Sequence, residues 1–226
     1  MKRNQMKSGV IIFITVMIAS LFSSMVLASE KSQKTATVEP HDFKDIEELK
    51  YPQVSDMEEN IMEEKINQAF DKYIRDSYKE YKDNIKMADE YDFVPDYQTD
   101  YEVKYNQFPY LSILTSNYIF SGGAHGNTTV RSFNFDASNG TWLSLTDILQ
   151  DEEQLKAVRD YVWEYAIERP DIFYPDLKKE DVKLNANTAF YFTGEGITLV
   201  FQRYEIAPYV SGNQEIPIPE DIYEEA

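Results

Sequence analysis

The spacing of apolar residues along this chain changes from a helical pattern to a strand pattern, and this order constrains the fold more than any other feature. Residues 56–86 repeat apolar side chains at the 3.6-residue spacing of an amphipathic helix, and Ser55 before them is a suitable N-cap. From residue 97 the spacing falls to two, and residues 97–107 and 109–120 are rich in the Tyr, Val, Ile and Thr that strands favour. The apolar stripe of the predicted helix consists of Ile61, Ile66, Phe70, Tyr73, Ile74, Tyr78, Tyr81 and Ile85.

The remaining segments again combine a helix with strands. Asn139-Gly140 is a tight-turn signal, and connections of hairpin size favour antiparallel pairing. The sequence therefore predicts an α+β fold, in which a mainly antiparallel sheet packs against two main helices. Residues 38–100 and 101–226 are interpreted as two halves that share one compact domain. The further predicted elements are strands at 127–136, 141–145, 188–193, 197–203 and 214–218 and a second helix at 151–168.

The N-terminus has the features of an export signal. Three basic residues precede an uncharged stretch from Gly9 to Leu27, and Val26-Leu27-Ala28 has the small-x-small pattern of a cleavage site. We predict that residues 1–28 are a signal peptide and that residues 29–37 form a flexible tether. The alternative is an uncleaved anchor, because the apolar run approaches the roughly 20 residues that span a bilayer. In both cases the rest of the chain is secreted or lies at the cell surface, and the cleaved form has no membrane span.

Charge and cysteine content narrow the range of partners. Removing residues 1–28, which contain three basic and no acidic residues, changes the formal net charge from −18 to −21. Such a surface repels phosphates, so nucleic acid is excluded as a partner and a basic protein or a neutral glycan is favoured. The chain contains no cysteine, which favours the surface of an organism that does not rely on disulfides, such as a Gram-positive bacterium.

A glycine-rich turn contains one of the two histidines of the chain. His125 lies within Gly122-Gly123-Ala124-His125-Gly126, where glycines allow positive φ angles and close backbone approach. One interpretation makes His125 a general base or a metal ligand. The favoured one is structural: the imidazole binds the backbone and fixes a bend between strands. No second histidine stands at metal-ligand spacing, so we predict no metal, no cofactor and no catalytic residue.

A second motif follows the last predicted hairpin. Tyr204, Glu205, Pro208 and Tyr209 lie in a loop rich in Tyr and Pro. Tyrosines on a loop held by rigid strands supply contact area at low entropic cost, so these four residues are predicted to bind a partner. The alternative is a buried tyrosine corner in which Glu205 holds the backbone of the loop.

Four stretches together resemble one family of bacterial exported domains. They are Tyr51-Pro52-Gln53-Val54, the turn at 122–126, the segment from Gly140 to Leu149 and Tyr204-Glu205-Ile206-Ala207-Pro208-Tyr209. The family includes the extracellular domain of the anti-sigma-V factor, which is a lysozyme receptor, and the N-terminal, non-catalytic domain of a peptidoglycan deacetylase. The resemblance covers about residues 45–220.

The resemblance implies a sensing or binding module rather than an enzyme. If the leader were retained, only residues 1–7 would remain in the cytoplasm, too few for a sigma-binding segment, and no separate catalytic domain is expected after this one. The expected function is that of an exported cell-envelope protein that binds a basic, lysozyme-like muramidase. The alternatives are a wall-glycan-binding accessory module of the deacetylase type and a hydrolase that uses His125 with Glu205 or a nearby Asp.

Overall fold

A computed structural model describes residues 34–224, where helices and antiparallel strands alternate. The α+β prediction is confirmed, with two main helices, α1 and α3. The strands form three sheets rather than one: β1-β2, β3-β4-β5-β6 and β7-β8-β9. The elements are β1 (Thr37–Asp42), β2 (Lys50–Ser55), α1 (Asn60–Tyr91), β3 (Asp96–Gln107), β4 (Tyr110–Phe120), β5 (Asn127–Asp136), β6 (Thr141–Trp142), α2 (Leu145–Ile148), α3 (Glu152–Ile167), β7 (Ala189–Thr193), β8 (Gly196–Phe201), β9 (Gln214–Pro219) and α4 (Asp221–Glu224).

The predicted signal peptide lies outside the described residues, as does most of the predicted tether. The last residues of that tether are fixed in place: the backbone amides of Thr35 and Ala36 donate to Asn106 Oδ1 at 2.9 and 3.1 Å. Both residues are buried. Thr35 and Ala36, which the sequence analysis places in the tether, are therefore part of the packed structure. The predicted division near residue 100 falls inside β3.

Helix α1 begins and ends later than the hydrophobic pattern predicts. Ser55 is the last residue of β2 rather than the N-cap, and Asp56 has a φ of 58°, which no continuing helix can adopt. The helix starts only after Glu59 and ends where Asp92 turns left-handed, with a φ of 53°. Ile61, expected on the apolar face, is 63% exposed because it lies in the first turn, away from the sheet.

The four-stranded sheet packs its two faces against different partners. Side chains alternate along β4 and β5, so Leu111, Ile113, Phe133 and Phe135 lie in the same buried cluster as Phe70 of α1. The alternate residues of β4 and β5, such as Leu114, face the three-stranded sheet β7-β8-β9. That sheet packs on α3, and the two together form the second large core cluster. The central sheet is thus covered on both faces.

Polar side chains on the second face bind the backbone of β7. The hydroxyl of Ser112 accepts from the amide of Phe192, and that of Ser132 accepts from the amide of Phe190, each at 3.1 Å. Asn134 Nδ2 donates to the Phe190 carbonyl at 2.8 Å. Buried backbone groups at a strand edge require partners, and these side chains supply them. This explains why Ser112 and Asn134 are fully buried.

A polar network joins α1 to the same sheet. Asn117 Oδ1 accepts from the Tyr73 hydroxyl at 2.6 Å, while Nδ2 donates to Ser77 Oγ and to Tyr97 Oη. The Tyr97 hydroxyl in turn donates to a carboxylate oxygen of Glu80 at 2.9 Å. Burial raises the pKa of Tyr73 and that of Tyr97 well above the ordinary value for tyrosine, so both hydroxyls stay protonated and can donate. The network is satisfied internally, and we interpret it as structural.

Candidate functional site

The glycine-rich turn and the Tyr-rich loop, which lie far apart in sequence, are in contact. The rings of His125 and Tyr209 stack with centroids 3.9 Å apart and an angle of 25° between their planes. The Tyr209 hydroxyl donates to the Gly126 carbonyl at 2.8 Å, and His125 Nδ1 lies 2.9 Å from the same oxygen. A carbonyl oxygen only accepts, so His125 Nδ1 carries the hydrogen in this bond.

Glycines in the turn make this contact possible. Gly122 and Gly123 have φ angles of 81° and 95°, a region that other residues rarely adopt. At Gly126 the constraint is steric, because a Cβ there would collide with the Tyr118 ring at Oη and Cζ. A larger residue at position 126 would therefore require the Tyr118 ring to move.

Gln202 fixes the start of the Tyr-rich loop against β5. Its side chain donates to the Val130 carbonyl at 2.8 Å and accepts from the Val130 amide at 3.0 Å. Tyr204 follows with a φ of 67°, a strained value for a non-glycine residue. Further along, Ile206 and Ala207 are buried and anchor the loop in the core. The loop is therefore held rigidly on both sides of its exposed residues.

The exposed part of this region forms what we call the aromatic surface, which consists of His125, Arg203, Tyr204, Tyr209 and Val210. The Arg203 guanidinium lies 4.5 Å from the centroid of the Tyr209 ring, and the Tyr204 ring lies 5.6 Å from it. Tyr204 is 55% and Val210 is 89% exposed. Arg203 Nε is buried and has no hydrogen-bond partner among residues 34–224.

Glu205 takes part in holding the loop and not in the stack. A carboxylate oxygen accepts from the Gln202 amide at 2.8 Å. Desolvation raises the pKa of this carboxyl, and the hydrogen bond from Gln202 partly offsets the rise. Glu205 lines a cavity of about 460 Å³ together with Tyr174 and Lys178. Within the described part of the chain no carboxylate bonds to His125, so the His125–Glu205 pair of the hydrolase interpretation is not formed.

The predicted partner-binding residues thus divide into two groups. Tyr204 and Tyr209 lie on the aromatic surface beside His125, and Pro208 is half-buried. Glu205 points into the neighbouring cavity. Arg203 and Val210 were not predicted from the sequence. They flank the motif on either side, but neither is a tyrosine or a proline, the residue types that made the loop stand out. Across residues 34–224 no group of three or more His, Asp or Glu side chains could hold a metal ion.

The chain is similar to two families. Residues 43–128 match the family model described as Deacetylase PdaC, and residues 146–221 match Protein of unknown function (DUF3298). The predicted resemblance to the peptidoglycan deacetylase domain is therefore confirmed. The first region contains the glycine-rich turn and the second contains the Tyr-rich loop, so the aromatic surface is built from both.

A curated relative and two solved structures extend this comparison. The Peptidoglycan-N-acetylmuramic acid deacetylase PdaC of Bacillus subtilis (strain 168) is 25% identical over 175 residues, 70% of this chain but only 35% of the relative. A DUF3298 family structure from Bacteroides fragilis aligns with a TM-score of 0.58 at 18% identity, over 85% of this chain and 91% of its own. A second, from Pseudomonas aeruginosa PAO1, has a TM-score of 0.45 at 24% identity, over 57% and 60%.

These matches leave two expectations open. The anti-sigma-V factor is not among the relatives described, so that part of the resemblance stays a prediction. This chain aligns with only about a third of the length of PdaC, so the catalytic activity of the whole relative is not assigned to this chain. None of the helices between residues 34 and 224 is long and apolar enough to cross a membrane.

Proposed function

We propose that this chain is an exported, non-catalytic binding module of the cell envelope and that it binds a basic, lysozyme-like protein through the aromatic surface. The observation that carries this proposal is the stacking of His125 on Tyr209, with Tyr204 and Val210 exposed beside them. Two separate motifs thereby form one contact surface.

The composition of the aromatic surface suits a protein partner. Tyrosine and arginine dominate the residues that contribute most to protein interfaces, because they combine apolar area with a polar tip. Tyr204, Tyr209 and Arg203 meet this description, and the loop that holds them is already fixed by Gln202. Little ordering entropy is therefore lost on binding.

The charge of the chain favours a basic partner. With 40 acidic and 22 basic residues, the formal net charge is −18. A field of this sign raises the rate of encounter with a cationic protein and slows encounter with anionic ones. Lysozyme-like muramidases are usually basic, which makes them the partner class of the proposal.

A second candidate is a wall-glycan-binding accessory module. The match to a peptidoglycan N-acetylmuramic acid deacetylase over 70% of this chain favours it. In this case a sugar polymer, rather than a protein, would contact the aromatic surface, since tyrosine rings also stack on pyranose faces.

Calorimetric titration of the purified protein with a basic lysozyme distinguishes the two candidates. We expect saturable heat at micromolar concentrations and protection of wall substrate from digestion. The variant Tyr204→Ser should lose this heat while retaining its melting temperature. Absence of heat with lysozyme, together with co-sedimentation with purified wall sacculi that Tyr204→Ser abolishes, would replace the first candidate by the second.

A further inference from the structure

A groove at the edge of β5 lies outside the aromatic surface. Strand β6 is only two residues long and pairs with Phe135 and Asp136, so it leaves the earlier part of β5 uncovered. The groove that results has a volume of about 530 Å³ and is lined by Arg131, Ser132, Trp142, Asn187 and Thr188, among others. This volume is in the range of sites for small ligands.

The strand register leaves one backbone pair free in this groove. The Gln202 side chain binds the amide and carbonyl of Val130, and the amide of Leu143 donates to the Asn134 carbonyl at 2.8 Å. Because backbone direction alternates in an antiparallel ladder, the amide and carbonyl of Ser132 point to the same edge. This edge faces away from β4, and no backbone group of residues 34–224 pairs with Ser132 there. Ser132 therefore offers one donor and one acceptor to a ligand.

Two further side chains give the groove its chemical character. Trp142 stacks on Phe133 with centroids 4.9 Å apart, yet 40% of the residue remains exposed. The Arg131 guanidinium lies 5.0 Å from the indole ring, and no carboxylate of the described residues lies within 4.0 Å of it. An unpaired guanidinium is notable in a chain with nearly twice as many acids as bases.

We propose that this groove binds a carboxylate-bearing N-acetylated amino sugar. The exposed indole offers a stacking surface for a pyranose face, Arg131 offers a fork of donors for the carboxylate, and Ser132 offers a backbone pair for the acetamido group. An extended peptide fits less well, because strand addition requires a row of free edge groups and only the pair at Ser132 is free.

This inference does not rest on the lysozyme-like partner. It concerns a different surface, built from β5, β6 and residues 186–188, and it gives the wall-glycan candidate a site of its own. Substitutions at Tyr204 should leave binding in the groove unchanged, and substitutions at Arg131 should leave lysozyme binding unchanged. Failure of one proposal is therefore distinguishable from failure of the other.

Tryptophan fluorescence provides the test, since the chain has only two tryptophans. In a Trp163→Phe background, whose only indole is Trp142, the protein is titrated with the disaccharide of N-acetylglucosamine and N-acetylmuramic acid. The matched control ligand is di-N-acetylchitobiose, which has the same rings without the carboxylate. We expect the acidic disaccharide to change the emission of Trp142 and to bind about tenfold or more tightly than chitobiose.

Variants at Arg131 decide the role of its charge. Arg131→Gln should abolish the preference for the acidic disaccharide and leave chitobiose binding unchanged, whereas Arg131→Lys should retain part of the preference. Arg131 is exposed and these replacements are not expected to unfold the protein. Equal affinity of the parent for both sugars, a preference that persists in Arg131→Gln, or no response of Trp142 at millimolar sugar would each overturn the proposal.

Discussion

His125 and Tyr209 donate to the same acceptor, the carbonyl oxygen of Gly126, while their rings stack 3.9 Å apart. Both lone pairs of that oxygen are therefore used, one by each motif. The glycine-rich turn and the Tyr-rich loop are thus joined through one backbone atom, and a change in either is expected to disturb the other.

Replacing His125 by Ala should lower the melting temperature. The variant loses a hydrogen bond and a ring stack, at a cost of about 1–3 kcal/mol in unfolding free energy. Urea denaturation measures the difference. His41→Ala is the matched control, because His41 is the other histidine, is exposed and makes only a distant contact with Tyr51, at 6.1 Å. Unchanged stability of His125→Ala combined with lost binding would make His125 a contact residue instead of a structural one.

Gly126→Ala should destabilise the protein by about 1–3 kcal/mol, because the added methyl group collides with Tyr118. The double variant Gly126→Ala, Tyr118→Ala should recover part of that loss, since the obstructing ring is gone. Gly194→Ala is the control, as no atom lies within 4 Å of a Cβ there. Thermal melts of the parent, the single variants Gly126→Ala and Tyr118→Ala, the double variant and the Gly194→Ala control test this. Additive losses in the double variant would contradict the steric explanation.

Much of the fold follows from local patterns, while the aromatic surface does not. Residues 97–107 and 109–120 were predictable as strands because their period of two reports which side chains face the core. The start of α1 was not, because Asp56 has a positive φ and Met57 is buried in the core, and the hydrophobic spacing reports neither of these. Contact between His125 and Tyr209 depends on how three sheets pack, which no local pattern records.

Association with a basic lysozyme should depend strongly on salt. Raising ionic strength from about 0.01 to 0.15 M shortens the Debye length from ~30 Å to ~8 Å, so the association rate should fall markedly. Dissociation should change little, because close contacts of the aromatic surface govern it. Surface plasmon resonance gives both rates. A dissociation rate that rises as much as the association rate falls would contradict this division.

Val210→Asp should weaken lysozyme binding without affecting stability, because Val210 is 89% exposed on the aromatic surface. Val94→Asp is a matched control: Val94 is 83% exposed and lies in the connection between α1 and β3. Both variants add one negative charge, so any difference between them reports position and not charge. Equal affinities of the two would place the interface elsewhere.

Asp147→Asn should remove a pH-dependent contribution to stability. The Ser144 hydroxyl and amide both donate to Asp147 Oδ2, and these bonds lower the pKa of the carboxyl. Because the pKa of this carboxyl is lower in the folded than in the unfolded state, ionised Asp147 stabilises the protein at pH values above the ordinary aspartate pKa. This contribution is lost as the pH falls from that value through the lowered pKa of the folded state. In urea melts the parent should exceed the variant at pH 7 and approach it near pH 2. Asp83→Asn, at an exposed position of α1, is the control.

The extracellular form should begin at Ser29. This follows from the cleavage pattern Val26-Leu27-Ala28 behind a basic N-terminus. Intact-mass spectrometry of protein recovered from the culture supernatant measures the start directly. Recovery of the full-length chain from membranes alone would show that the leader acts as an anchor.

The hydroxyl of Ser112 that accepts from the Phe192 amide joins the two regions that match different families, since Ser112 lies in residues 43–128 and Phe192 in residues 146–221. If either region opened, it would leave a buried polar group of the other without a partner. The two regions should therefore melt in a single cooperative transition and exchange their core amide hydrogens at a common rate. A recombinant that took one of these regions from a relative would therefore keep this contact only if the residues on both sides of the Ser112–Phe192 hydrogen bond still matched.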